Sequence, residues 1–196
     1  MVELLTHLGL DTGFTPPSIE TFKNKKARAG LEYDIRRENC PYIFKAPAFC
    51  ELAREIICRD DIIIEHIFIP MRDLYSAAES RRFVEKETLS EMSFLERMKA
   101  ADTQRALIGG LWGTTSMEPG KQEEVLLRNL YELMLAISDA TMPVTVLRFP
   151  RIVNDCPYLF EKLKPILRGI SYESFSAAFN KTVRPELVHT FSQDDR

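Results

Sequence analysis

The run Ile62-Ile63-Ile64-Glu65-His66-Ile67-Phe68-Ile69 constrains this chain more than any other feature. It is dense in β-branched side chains and does not alternate with polar ones. Such a run suits a parallel strand covered on both faces. Pro70 to Asp73 is expected to end it, and from Leu74 to about Met98 the residues become charged and amphipathic, as in a helix. A second β-prone run, Pro143 to Arg148, follows a helical stretch from Lys121 to Ala140 in which Val125, Leu126, Leu130, Leu133, Met134 and Ile137 form an apolar stripe. A third, Tyr42-Ile43-Phe44-Lys45, stops at Ala46-Pro47 and precedes helical spacing from Cys50 to Cys58. Strand and helix alternate, so the expected fold class is α/β, a mostly parallel sheet flanked by helices.

Around this centre, Met1 to Gly9 reads as a helix with a terminal glycine and no N-cap before Val2. Tyr158 to Leu167 and Ser174 to Asn180 read as further helices. Phe14 to Asn39, with Pro16-Pro17 and the basic cluster Lys23 to Arg28, is expected to be a loop or solvated helix surface without a core role. The 196 residues suit one domain spanning 1–196. A net charge of -3 supplies no global positive field for nucleic acid or anionic membrane. No apolar run approaches the ~20 residues of a membrane span, and the start lacks the basic region of a secretory signal. Cys40, Cys50, Cys58 and Cys156 have no paired metal-ligand spacing and read as reduced thiols in a cytoplasm.

Ligands of open parallel sheets sit beyond the carboxyl ends of the strands, which singles out Lys45, Arg72 and Arg148. Arg72 is followed by Asp73, a helix cap, and by Ser76 and Ser80 on one helical face. A guanidinium fork, hydroxyl groups and helix-start amides together suit a phosphate monoester. The ordinary alternative is a surface arginine paired to Asp73 or Glu79.

With an arginine closing a hydrophobic strand and a serine eight positions later, the chain resembles the sulfotransferase family. That family uses 3′-phosphoadenosine 5′-phosphosulfate on a P-loop NTPase-like fold. The resemblance extends loosely to Tyr42–Pro47 and Val144–Leu167. It implies that Arg72 and Ser80 hold the 3′-phosphate of this co-substrate and that Lys45 faces the sulfuryl group. The family's Lys-Thr-His appears here as Lys45-Ala46-Pro47, without the histidine, and Glu20 stands as the candidate base. The family's Gly-rich loop is missing. Gly109-Gly110-Leu111-Trp112-Gly113 lacks the Lys-Ser/Thr end and reads as a lid or connecting loop. Met1 to Gly9 then corresponds to the helix that normally follows that loop, and the fold is expected to be N-terminally truncated. Arg148, Arg151, Lys181 and Arg184 are candidates for further positive charge near the nucleotide.

His66 reads as a hydrogen-bonded residue inside a strand, and with His7 and His189 it makes no metal site. Phe83, Phe94 and Trp112 suit either core or acceptor pocket. The resulting expectation is transfer of a sulfuryl group to a hydroxyl or amine of a small-molecule or glycan acceptor, with no nucleic-acid or membrane partner. A non-catalytic binding or assembly module and a P-loop small-molecule kinase remain as alternatives, and self-association remains open.

Overall fold

In the computed structural model, residues 1–24, 29–37, 39–91, 120–189 and 191 are described. The elements in chain order are α1 (Val2–His7), α2 (Pro16–Phe22), β1 (Lys23–Asn24), β2 (Ala29–Gly30), α3 (Phe49–Ile57), β3 (Ile67–Met71), α4 (Leu74–Glu91), α5 (Lys121–Ser138), β4 (Val144–Arg148), α6 (Arg151–Asn154), α7 (Cys156–Leu163) and α8 (Tyr172–Thr182). Short 3₁₀ turns at Lys164–Ile166 and Pro185–Leu187 follow α7 and α8. The chain is therefore mixed α/β, with a small parallel sheet among the helices.

That sheet is β3 beside β4, parallel, with Ile67 opposite Val144 and Met71 opposite Arg148. A parallel pair requires a crossover, here supplied by α4 and α5. Successive side chains of β3 serve opposite layers. Ile69 is buried among Ala53 of α3 and Leu133, Ala136 and Ile137 of α5, with Ile67 and Met71 beside it. Phe68 packs on the other side, against a cluster built by Leu4 and Leu5 of α1, Leu159 and Leu163 of α7, and Phe175 and Phe179 of α8. The sheet is thus a divider between two helical cores.

The strand is shorter and later than its sequence suggests. Ile62 to His66 lie outside it, and Ile63 is 89% exposed. The partner strand begins only at Val144, so residues before Ile67 have no ladder to join. At the other end Pro70 stays within the strand, opposite Leu147, as a proline can where its position needs no N–H donor. The expected strand Tyr42–Lys45 shrinks to one parallel bridge between Lys45 and Glu32. His66 accordingly precedes β3 instead of lying within it.

The stretch after Phe14 also corrects the reading of a coreless loop. Pro16 and Pro17 open α2, where a missing N–H costs nothing, and the Thr15 N–H donates to the Ser18 hydroxyl at 2.9 Å. Ile19, Leu31 and Ile35 are buried. They are single apolar residues without a period, which is why the pattern hid them. Asp11 fastens this region by accepting from the Gly13 N–H at 3.2 Å and the Tyr42 N–H at 3.1 Å.

Helix boundaries follow local chemistry. Gly9 supplies φ of +77° just beyond α1. Asp155 caps α7 by accepting from the Tyr158 N–H at 2.9 Å, and Ser171 caps α8 by accepting from the Ser174 N–H at 3.2 Å. The helix expected from Ser174 to Asn180 consequently runs from Tyr172 to Thr182. In α5, Val125, Leu133 and Ile137 are buried as the stripe predicts, whereas Met134 is exposed and Gln122 and Ala136 take core places. Among the described residues, no helix is long and apolar enough to cross a membrane.

Candidate functional site

The carboxyl ends of β3 and β4 lie side by side, so the chain places Arg148 at the last rung and Arg72 one residue beyond the opposite strand. The ladder continues one step further, with the Phe149 N–H donating to the Met71 carbonyl at 2.8 Å. The Arg148 N–H donates to the Tyr158 hydroxyl at 2.9 Å, tying α7 to the strand end. A cis Phe149–Pro150 bond then turns the chain into α6.

Arg72 is half-buried and its guanidinium donates to the His189 carbonyl. It lies over two rings, 4.9 Å from the centroid of Phe149 and 5.7 Å from that of Phe191. Aromatic faces attract a cation without neutralising it. Burial lowers the pKa of Arg72 from its ordinary value, with Asp73 opposing the shift; a guanidinium still carries its charge at physiological pH. Asp73 accepts from the Ser76 N–H at 2.9 Å at the start of α4. Its carboxyl is held below the usual range by the Ser76 backbone, then the Ser76 hydroxyl, then the charges of Arg148 and Arg72. Among the described residues, no carboxylate forms an ion pair with Arg72 or Arg148. The expected surface pairing of Arg72 with Asp73 or Glu79 is therefore replaced by rings and a carbonyl.

The other candidates are dispersed. Ser80 is half-buried on α4, and among the described residues no hydrogen bond joins it to Arg72. Lys45 is engaged outside the β3–β4 pair: its Nζ meets Glu32 Oε1 at 2.9 Å and donates to the Gly30 carbonyl at 3.2 Å. Glu20 sits on α2 instead of in a loop after the first helix, and it accepts from Lys23 Nζ at 2.7 Å. Arg151 pairs with Asp155 at 2.8 Å and covers the Tyr158 ring at 4.2 Å. Arg184 turns inward on its own chain, donating to the Lys181 carbonyl at 2.8 Å. Phe83 is exposed and lies 5.2 Å from the His189 ring. Phe94, Trp112 and the glycines Gly109, Gly110 and Gly113 lie outside the described residues.

His66 hydrogen-bonds Thr145 Oγ1 at 2.8 Å and stacks on Phe68 at 4.4 Å, and burial lowers its pKa. His7 Nδ1 meets the Glu3 carbonyl at 2.9 Å. All four cysteines are free thiols, and among the described residues no group of His, Cys, Asp or Glu is arranged to hold a metal ion.

Sequence reasoning missed Phe149, Phe191, Tyr158 and the His189 carbonyl as parts of the Arg72 and Arg148 environment. The Phe-Pro step directly after Arg148 was a readable sign for Phe149; nothing local signals that the tail returns to β3. The chain matches no protein-family model, no curated protein and no solved structure.

A guanidinium at each of two neighbouring strand ends suits binding of a phosphate or sulfate group. Such a donor set is of the kind that would hold the 3′-phosphate of the nucleotide that the resemblance implies. It does not extend to the phosphosulfate end: Lys45 is held by Glu32, and no glycine-rich amide cradle occurs among the described residues.

Proposed function

We propose that this chain is a sulfotransferase-like protein on a P-loop-type fold that holds the 3′-phosphate of a 3′-phosphoadenosine nucleotide at the carboxyl ends of β3 and β4. The observation that carries the reading is that Arg148, on the last rung of β4, and Arg72, one residue past β3, stand at neighbouring strand ends and have no ion-paired carboxylate among the described residues. Their charge is available to an anion, and the His189 carbonyl on Arg72 is a neutral partner that a phosphate oxygen outcompetes. Ser80 adds a hydroxyl donor from α4 on this reading.

The catalytic half of the family's chemistry has weaker support. Lys45 and Glu20 are each committed to a neighbouring charge, which favours the second reading, a nucleotide-binding module without sulfuryl transfer. The two readings share the same phosphate site and differ in turnover onto a hydroxyl or amine acceptor.

Titration calorimetry with 3′-phosphoadenosine 5′-phosphate tests the shared site. Binding is expected for the wild type, with Arg72→Ala abolishing it and Arg148→Ala weakening it about tenfold, the scale of one charge-assisted hydrogen bond. No heat at millimolar nucleotide sinks the proposal. Binding without transfer from 3′-phosphoadenosine 5′-phosphosulfate selects the module, and a response to ATP with Mg²⁺ alone would instead favour a kinase.

A further inference from the structure

Helix α5 carries more apolar surface than its own core uses. Its inward side is occupied by Gln122, Val125, Leu133, Ala136 and Ile137. On the opposite side Leu127, Tyr131, Met134 and Leu135 are 52, 67, 46 and 38% exposed. Positions 127, 131, 134 and 138 follow the i, i+4, i+7, i+11 spacing of a helix-pairing seam. Among the described residues nothing covers this stripe, and a helix apolar on both sides normally has a partner on each.

The charges beside the stripe specify the partner. Along one flank, the amino half carries Lys121 and Arg128 and the carboxyl half carries Glu132 and Asp139, all exposed. A two-fold axis between antiparallel helices keeps each flank on its own side and reverses its direction. Setting the axis near residue 130 lays Arg128 opposite Glu132 and Lys121 opposite Asp139 of the second copy. The same register sets Leu127 against Met134, the two Tyr131 rings together, and Glu124 near Ser138. A parallel two-fold pairing would instead put this flank on opposite sides of the seam in the two copies, so that its charges would not meet. Among the described residues these charges have loose partners within the chain: Arg54 stands 3.6 Å from Glu132, and Lys121 stands 3.6 Å from Glu124.

We infer that α5 is an isologous dimer interface, in which the Leu127–Tyr131–Met134 stripe packs antiparallel on the same stripe of a second copy, with Arg128 and Lys121 paired to its Glu132 and Asp139. Eighteen helical residues give a seam about 27 Å long. A single helix pair of this size buries less than a standard interface, so the dimer is expected at micromolar concentrations and above.

Sedimentation velocity from about 1 to about 500 µM tests this on the full chain, spanning the affinity range of small interfaces. The expected wild-type result is a shift from 22.6 kDa toward twice that mass. Tyr131→Glu, at an exposed site, should leave the circular dichroism spectrum unchanged and abolish the shift. Arg128→Glu and Glu132→Arg should each weaken association about tenfold by opposing like charges, and the double reversal R128E/E132R should bring it back to within about threefold of wild type. That rescue is particular to self-pairing. A wild type monomeric throughout, whether its stripe is covered by residues 92–119 or by a different protein, overturns the inference. So does a dimer indifferent to Tyr131→Glu, or a double reversal no tighter than the single ones.

Discussion

Helices α4 and α5 are joined by an ion pair in a place where water scarcely reaches. The Arg82 side chain is 8% exposed and that of Glu123 is 16% exposed. Two guanidinium nitrogens of Arg82 each donate to both oxygens of Glu123, at 3.2, 3.3, 2.7 and 2.7 Å. Glu79, one turn away on α4, stands 3.4 Å from the same group. Arg82→Met keeps the length of the side chain and leaves the Glu123 carboxylate without its donor. Removing one partner of a buried pair typically costs 3–5 kcal/mol; with Glu123 able to reach some water, about 2–3 kcal/mol is expected here. Glu123→Gln should cost less, about 1–2 kcal/mol, because Arg82 retains Glu79 and an amide oxygen of the same shape. Urea denaturation followed by circular dichroism reads the difference: with m near 2 kcal/mol/M, Arg82→Met lowers the midpoint by about 1–1.5 M. The double variant R82M/E123L removes both charges and should recover most of the loss, since an apolar pair of similar volume often equals a buried ion pair. An Arg82→Met midpoint within about 0.2 M of wild type, or a double variant worse than the sum of the singles, refutes the claim that desolvation sets the cost.

Three further outcomes are expected. Gly13 has φ of +74°, and a Cβ there would sit 3.1 Å from Pro41 Cγ; Gly13→Ala should lower stability by about 1–2 kcal/mol in the same urea assay, and Gly13→Asn, which tolerates this backbone better, should lose less from strain. Phe175 is fully buried between Phe160 and Phe179; Phe175→Ala should cost about 3–5 kcal/mol, while Phe175→Leu should cost clearly less because it leaves a smaller cavity. For His66, burial favours the neutral ring in the folded chain, so the unfolded chain binds more protons just below the ordinary value of 6.5. Stability is then complete above that pH and declines as pH falls through the lowered folded value; a nuclear magnetic resonance titration placing His66 above 6.5 would contradict this, and His66→Gln should flatten that part of the pH dependence.

What could be read from the chain was set by how local the cause is. Helices α1, α3, α5, α7 and α8 follow from spacing and caps within a few residues, and the sequence places each within a few residues of its observed ends. Strand β4 is also legible, because Pro143 marks its start and Arg148 its end. The start of β3 is not, because the Ile-rich run from Ile62 satisfies β propensity along its whole length. What selects Ile67 as its first residue is the beginning of β4, whose first residue Val144 lies 77 positions on in the register Ile67–Val144. Propensity describes a residue's fitness for a sheet; only a partner supplies the ladder. The same limit hid Ile19, Leu31 and Ile35, whose burial depends on the path of the chain and not on any period in it.

The arginines show the complementary case. Arg72 and Arg148 were legible because strand ends can be found from sequence, and each lies at one. That no carboxylate among the described residues forms an ion pair with them was not legible, since it depends on which side chains arrive from elsewhere. Asp73 is the nearest carboxylate in sequence, yet it turns to the Ser76 amide of its own helix. What reaches Arg72 is a carbonyl and two rings, from residues 149 to 191. A charged group retained beside aromatic faces keeps nearly all of its attraction for an anion, whereas a salt-bridged one has already spent it on its partner. Lys45 illustrates the opposite outcome: it too follows a short β-prone run, but Glu32 lies across its bridge and takes the ammonium at 2.9 Å. The contrast leaves Lys45 committed to Glu32 and is what supports the proposed anion site at the β3–β4 end.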